Sequence, residues 1–380
     1  MLALAGSLAA ADWQVEMVDQ MGLGRYTSLK IDKDGNAHLV YVVDDGNRYP
    51  LKYGFWDHVL KKWFLMPVAE GASFCSLTLD SKQHPHISWA DYGTMSGSKL
   101  RYAHWDGTAW KRQAIPLDSD VVGYYTSIAL DPADNPSISF YEYRGARDSD
   151  HHIRLRNVMW NGTFWEVRTV DGEEGSGKFN AMVSGPNGEM HLAYANVSAN
   201  TVSMRYARWD GKSWNLEVVE GLAETNGQAV GYSTAITLDK EGNPHIVYFN
   251  ISSPQVRYAV RKNGHWQVQV VDTISKTGYP DRNSIALDED GTPYISYYDA
   301  GRGVLKVAHR EAQKWVVETV DSNFSGFTSS LQISGGVLWV SYADESGGGV
   351  KVAHVVLRGS SAPGGSQAAG RTSEAHARRN

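Results

Sequence analysis

One cysteine in 380 residues leaves Cys75 without a partner in its own chain, so a disulfide-stapled scaffold is excluded. A buried thiol at that position serves packing. No apolar run is long enough to span a bilayer as a helix, so no transmembrane segment is expected. Charge of either sign is not concentrated. The formal net charge of −6 comes with no basic stripe, which argues against nucleic acid as a partner. Catalytic signatures are missing as well: there is no G-x-S-x-G elbow, no H-E-x-x-H pair and no phosphate-binding loop. No cofactor and no metal is called for.

What the chain does contain is repetition. A unit close to S-I-A-L-D-x-x-G-x-P-H-I-S-Y-Y-D, a loop, then L-K-Y-A-x-W-D-G-x-x-W-x-x-x-x-V-D starts at Ser28, Ser76, Ser127, Ala181, Ala235, Ser284 and Ser330. Starts lie 46–54 residues apart, a period that marks propellers. Each unit reads as four strands with alternating apolar and polar positions. The predicted class is all-β: a seven-bladed β-propeller of four-stranded antiparallel blades. The seventh unit stops after Val350–Val355 without its fourth strand. Asp12–Asp19 carries the missing W-x-V-x-x-V pattern, so the N-terminal strand is expected to complete the last blade and close the ring.

The propeller is expected over 12–357. Residues 1–11 include Leu2–Ala11, an apolar, small-residue stretch like the core and cleavage site of a signal peptide, although no basic residue precedes it. Secretion or a periplasmic location is the expectation. Residues 358–380 are rich in Ser, Gly, Ala and Arg and read as a disordered tail.

Turn lengths distinguish the two faces of the ring. Tight a–b turns (Asp32–Asn36, Asp239–Asn243, Asp288–Thr292) and c–d turns (Trp105–Gly107, Trp160–Gly162, Trp209–Gly211) lie together. Long, variable d–a and b–c connections lie opposite, where binding residues normally gather.

Several positions recur. Strand b carries an aromatic in every unit: Tyr41, Trp89, Phe140, Tyr194, Tyr248, Tyr297 and Tyr342. These are expected to pack blade against blade. Strand c opens on a base in every unit: Lys52, Arg101, Arg156, Arg205, Arg257, Lys306 and Lys351. Most of these face a carboxylate or amide ending strand b, as cross-strand pairs at the blade tips. His38, His86, His191 and His245 begin strand b, and a hydrogen bond to the next blade is expected of them. The Asp-x-Asp-Gly turns lack the distal ligands of a calcium loop and read as turn chemistry.

The segments Trp105-Asp106-Gly107-Thr108-Ala109-Trp110 and Trp209-Asp210-Gly211-Lys212-Ser213-Trp214 are similar to Asp-box repeats, without keeping their S-x-D-x-G-x-x-W form. On these motifs the ring resembles the sialidase-like and lectin-like class of bacterial propellers. The resemblance implies the fold. The arginine triad and tyrosine–glutamate pair of sialidases do not map onto this chain residue by residue.

The leading expectation is an exported propeller that binds a glycan or polysaccharide through aromatic faces and nearby polar groups. Its candidate residues are Tyr124, Tyr125, Glu142, Arg144, Tyr232, Tyr279, Arg282, Asp299 and Phe327. An enzyme reading, a polysaccharide lyase or glycosidase, would use His151 or His152 as acid or base with Tyr125. Arg144 or Arg282 would then neutralise a uronate. A third reading is a scaffold for a protein partner.

Overall fold

A computed structural model describes residues 12–91, 100–117, 121–144, 154–197, 202–221, 229–275, 282–322, 328–344 and 346–357. Its twenty-eight strands form seven four-stranded antiparallel sheets, the blades of a β-propeller. In blade 1 the strands run Leu23–Ile31 (a), Ala37–Asp44 (b), Leu51–Asp57 (c) and Lys62–Ala69 (d), paired in that order. Blades 2 to 6 repeat the order over 72–114, 121–171, 176–220, 230–273 and 284–321. Blade 7 takes Ser329–Ser334, Val337–Asp344 and Gly349–Val356 from the end of the chain and Gln14–Asp19 from its start. Gln14 pairs with His354 and Met17 with Lys351, so backbone bonds close the ring. Among the described residues no helix is long and apolar enough to cross a membrane.

Local chemistry explains the blades. Strand b is buried throughout, strand d alternates toward solvent, and the clusters between them span neighbouring blades. The c–d turns are side-chain capped: Asp106 Oδ1 accepts the backbone N–H groups of Thr108 and Ala109, both at 2.8 Å, while Gly107 takes φ 97°. In the a–b turn Asp32 Oδ1 accepts from the N–H groups of Asp34 (2.9 Å) and Asn36 (2.7 Å). Its carboxylate is thus occupied with turn chemistry.

Strand a starts earlier than the S-I-A-L-D unit suggests. In blades 1 to 5 it continues back through a register shift, as between Tyr124 and Ser127. The bulge hides the extension, because it breaks the alternation by which a strand is recognised. Tyr124, Tyr125 and Tyr232 therefore sit on strands, not in loops.

The serine that opens the unit locks the blades together. Its Oγ accepts a backbone N–H of the next blade at Ser28 (Leu77, 3.1 Å), Ser76 (Ile128, 3.3 Å), Ser127 (Met182, 3.0 Å), Ser284 (Leu331, 2.9 Å) and Ser330 (Leu29, 3.0 Å). Blades 4 and 5 have Ala181 and Ala235 there.

Candidate functional site

At the bulge of strand a the middle residue adopts a left-handed backbone: Tyr26 (φ 55°), Phe74 (52°), Tyr125 (54°), Phe179 (53°) and Ser233 (54°). Bulky residues rarely accept this conformation, and such strain gathers at working sites. In blades 1 to 4 this residue carries a ring, and the four rings pack tilted against one another in an arc that Tyr232 extends into blade 5. Centroids lie 4.6 Å apart for Tyr26–Phe74, 4.6 Å for Phe74–Tyr125 and 4.9 Å for Tyr125–Phe179, and Tyr232 follows 5.2 Å from Phe179. Tyr26, Phe74, Tyr124, Tyr125 and Tyr232 remain partly exposed. Arg282 of blade 6 donates from Nη2 to the carbonyl of Thr126 in blade 3, next to Tyr125 of the arc, at 3.1 Å, a link across the ring.

Carbonyls displaced by the bulge are taken up by the next blade. Cys75 Sγ donates to the Tyr26 carbonyl (2.9 Å), Thr126 Oγ1 to that of Phe74 (2.5 Å) and Asn283 Nδ2 to that of Ser233 (2.9 Å); Thr234 does the same to Phe179. Burial pushes the Cys75 thiol up to about 12, which makes it unreactive. The channel holds a cavity of about 130 Å³ whose wall includes Tyr125 and Phe179 of the arc, hydroxyls, amides and aliphatic side chains, with Lys30 and Arg282 as its charged groups. Burial lowers the pKa of Lys30, whose ammonium has no ion-pair partner among the described residues.

Between blades a second motif recurs, one that reading each unit by itself misses. Six residues after the strand-d tryptophan stands an acid that reaches into the next blade. It accepts from the strand-b tyrosine and pairs with the strand-c base. Asp19 takes Tyr41 and Lys52, both at 2.7 Å; Asp171 takes Tyr194 (2.8 Å) and Arg205 (2.9 Å). Glu220 takes Tyr248 (2.7 Å) and Arg257; Asp272 takes Tyr297 (2.7 Å) and Lys306 (3.0 Å); Asp321 takes Tyr342 (2.9 Å) and Lys351 (3.2 Å). Burial works to raise the pKa of Asp19, but bonds from Lys52 and Tyr41 outweigh it and hold the carboxyl below its ordinary value. The strand-b aromatics thus pack between blades as expected, and five of them also carry a polar tie.

Two seams lack the acid. Ala69 stands in its place between blades 1 and 2, and Pro116 between blades 2 and 3. At those seams the aromatic is Trp89 or Phe140, so no buried phenol is orphaned. The 2–3 seam is occupied by Glu142, which accepts from Arg154 Nε (2.8 Å) and Arg156 Nη1 (3.2 Å). The 1–2 seam opens into a pocket of about 300 Å³.

The histidines differ from expectation. Each Nδ1 meets a tyrosine hydroxyl of its own blade at 2.6 Å: His38–Tyr53, His86–Tyr102, His191–Tyr206 and His245–Tyr258. The tyrosine, not the histidine, crosses the seam, placing its ring 5.3 Å from Trp110, 5.4 Å from Trp165, 5.3 Å from Trp266 and 5.3 Å from Trp315. Strands b and c are neighbours, so the imidazole reaches its own blade first. Burial is the main cause that lowers all four pKa values, to about 4 for His86 and His191.

Of the residues singled out from sequence, Tyr124, Tyr125, Tyr232 and Arg282 gather at the channel mouth. Glu142 lies at the 2–3 seam. Asp299 is buried in blade 6, bonded to Lys306 (3.0 Å) and Ser275 Oγ (2.9 Å). Arg144 ends strand b of blade 3, its backbone opposite Val121. His151, His152, Tyr279 and Phe327 lie outside the described residues.

No family model and no curated protein matches the chain. Solved structures do. The polysaccharide lyase Uly1 superposes with a TM-score of 0.62 at 9% identity, over 92% of this chain and 100% of that one. An oligogalacturonate lyase from Vibrio parahaemolyticus gives 0.57 at 11%, over 91% and 98%. The Trypanosoma rangeli sialidase with sialic acid gives 0.54 at 11%, over 90% and 59%. At such identities the likeness is one of fold: this chain is a seven-bladed propeller similar to those of sialidases and polysaccharide lyases.

Proposed function

We propose that this propeller binds carbohydrate at the channel mouth on its long-loop face. The observation that carries the reading is the arc of aromatic rings, one from each of five consecutive blades, with Arg282 bonded beside Tyr125. Sugar rings present apolar C–H faces that settle on aromatic planes, while guanidinium and amide groups bond their hydroxyls or an acidic substituent. At Tyr26, Phe74, Tyr125 and Phe179 the left-handed backbone carries a ring of the arc, and such strain is in keeping with a working site. Export to the periplasm or the cell exterior belongs to the same reading, supported by the apolar Leu2–Ala11 stretch.

The test is a broad glycan array that includes acidic polysaccharides, run with wild type and with Tyr125→Ala. Selective binding that drops at least tenfold in the variant supports the site. Unchanged binding in the variant removes it. A blank array with a co-purifying protein turns the reading toward a scaffold. Lyases among the structural neighbours favour a second reading, cleavage of the bound glycan, with His151 or His152 as acid or base. Absence of new reducing ends or unsaturated product from every glycan bound would sink it.

A further inference from the structure

The seven repeats are their own control for the open seam between blades 1 and 2. Five seams seat a carboxylate from the preceding blade against an aromatic and a strand-c base. In two of these the base holds a second carboxylate from the end of its own strand b: Lys306 takes Asp272 and Asp299, and Lys351 takes Asp321 and Asp344. At the 1–2 seam Arg101 keeps its strand-b partner, Asp91, at 2.7 Å, but Ala69 has removed the other. A further change is peculiar to this blade. Two residues after the strand-d tryptophan the other blades carry Val15, Leu65, Val167, Leu216, Val268 and Val317; blade 2 carries Arg112. Its Nε donates to the Val68 carbonyl of blade 1 at 2.5 Å, which holds the guanidinium at the seam, where it has no carboxylate partner among the described residues. Among the described residues the buried indole N–H of Trp89 has no acceptor, as is the case for six other tryptophans of the ring. The seam acid is absent, a cation is added and the volume is open, with Asp91, held by Arg101, and Glu70 also on the pocket wall.

We propose that this pocket binds a carboxylate group, seated by Arg101 and Arg112 where the other seams place Asp or Glu. At about 300 Å³ it has room for far more than a carboxylate, on the order of ten water volumes. Glu70 and Gln113 line the pocket with groups suited to hydroxyls. A sugar acid matches this set, and that half of the assignment rests on the glycan reading above. Planar, paired guanidinium recognition of a carboxylate supplies the specificity.

The experiment titrates the full chain with sodium glucuronate, glucose and sodium acetate, by calorimetry or NMR shifts. Wild type binds glucuronate, and glucose shows no saturable response here. Ala69→Asp refills the seat from within and weakens glucuronate at least tenfold. Arg112→Val, which restores the residue type of the other blades, does likewise. Unchanged glucuronate affinity in both variants overturns the proposal, as does a wild type that binds neither acid. Acetate bound as tightly as glucuronate, and lost in Ala69→Asp, keeps the carboxylate seat and rejects the sugar. Tyr125→Ala leaves the seam response intact, so a failure of the channel-mouth site is told apart from a failure of this one.

Discussion

The seams between blades 5 and 6 and between blades 1 and 2 are built on one plan and finished differently. At the first, Asp272 joins Tyr297 and Lys306, and Asp299 completes the ion cluster. At the second, Trp89, Ala69 and Arg112 replace the tyrosine, the acid and an aliphatic residue, and a pocket remains. Residue type alone would rank Lys306 and Arg101 as equivalent surface bases. Their neighbours separate them: among the described residues Lys306 is held by two carboxylates and Arg101 by one, Asp91. A buried polar tie that recurs at five seams maintains the ring, and of the two seams that lack it, the one between blades 1 and 2 has open volume.

Breaking the filled seam tests this most severely. Asp272→Ala leaves the Tyr297 hydroxyl buried without its acceptor and Lys306 with one carboxylate, and is expected to cost about 3 kcal/mol. The midpoint of chemical denaturation measures it. An equally large loss from Asp91→Ala at the open seam would erase the distinction.

Acid probes the opposite ends of the seams. His86 and His191 have folded-state pKa values near 4, against an ordinary 6.5. A depressed pKa means the folded ring favours the neutral imidazole, so stability is complete above pH 6.5 and falls as the pH drops toward 4. For His191 alone the loss by pH 4 is about 3 kcal/mol at most. Melting temperature against pH measures it, and His191→Gln should flatten that part of the curve.

Filling the open seam is expected to have a smaller effect of opposite sign. Ala69→Asp should stabilise the ring by about 1 kcal/mol through charge-assisted bonds to Arg101 and Arg112. A melting point that falls instead would mean that the pocket cannot accept a carboxylate. The smallest change is Ser284→Ala, which removes the acceptor for Leu331 N–H and should cost about 1 kcal/mol or less. Ala181→Ser or Ala235→Ser should recover a similar amount if the serine lock is general.

Much of the frame is visible in the residues. Seven units, the four-strand blade and the borrowed N-terminal strand all follow from spacing and alternation. The acid of each polar tie is present too, as the final D of W-x-x-x-x-V-D, yet its partner lies in the following unit, so a repeat read singly hides the bond. Tyr125 was legible as an aromatic near a loop. Its left-handed backbone and its place between Phe74 and Phe179 were not, because a bulge leaves no periodic trace. Arg282 likewise meets Thr126 across the ring, a contact between positions 156 residues apart.

By itself, then, the sequence determined the number of blades, their strand order and the closure of the ring, since each depends on local periodicity and backbone pairing within one unit. Tertiary structure decided which charged groups are satisfied and which are left facing a cavity. That depends on distances between units, and only the closed ring brings them within hydrogen-bonding range.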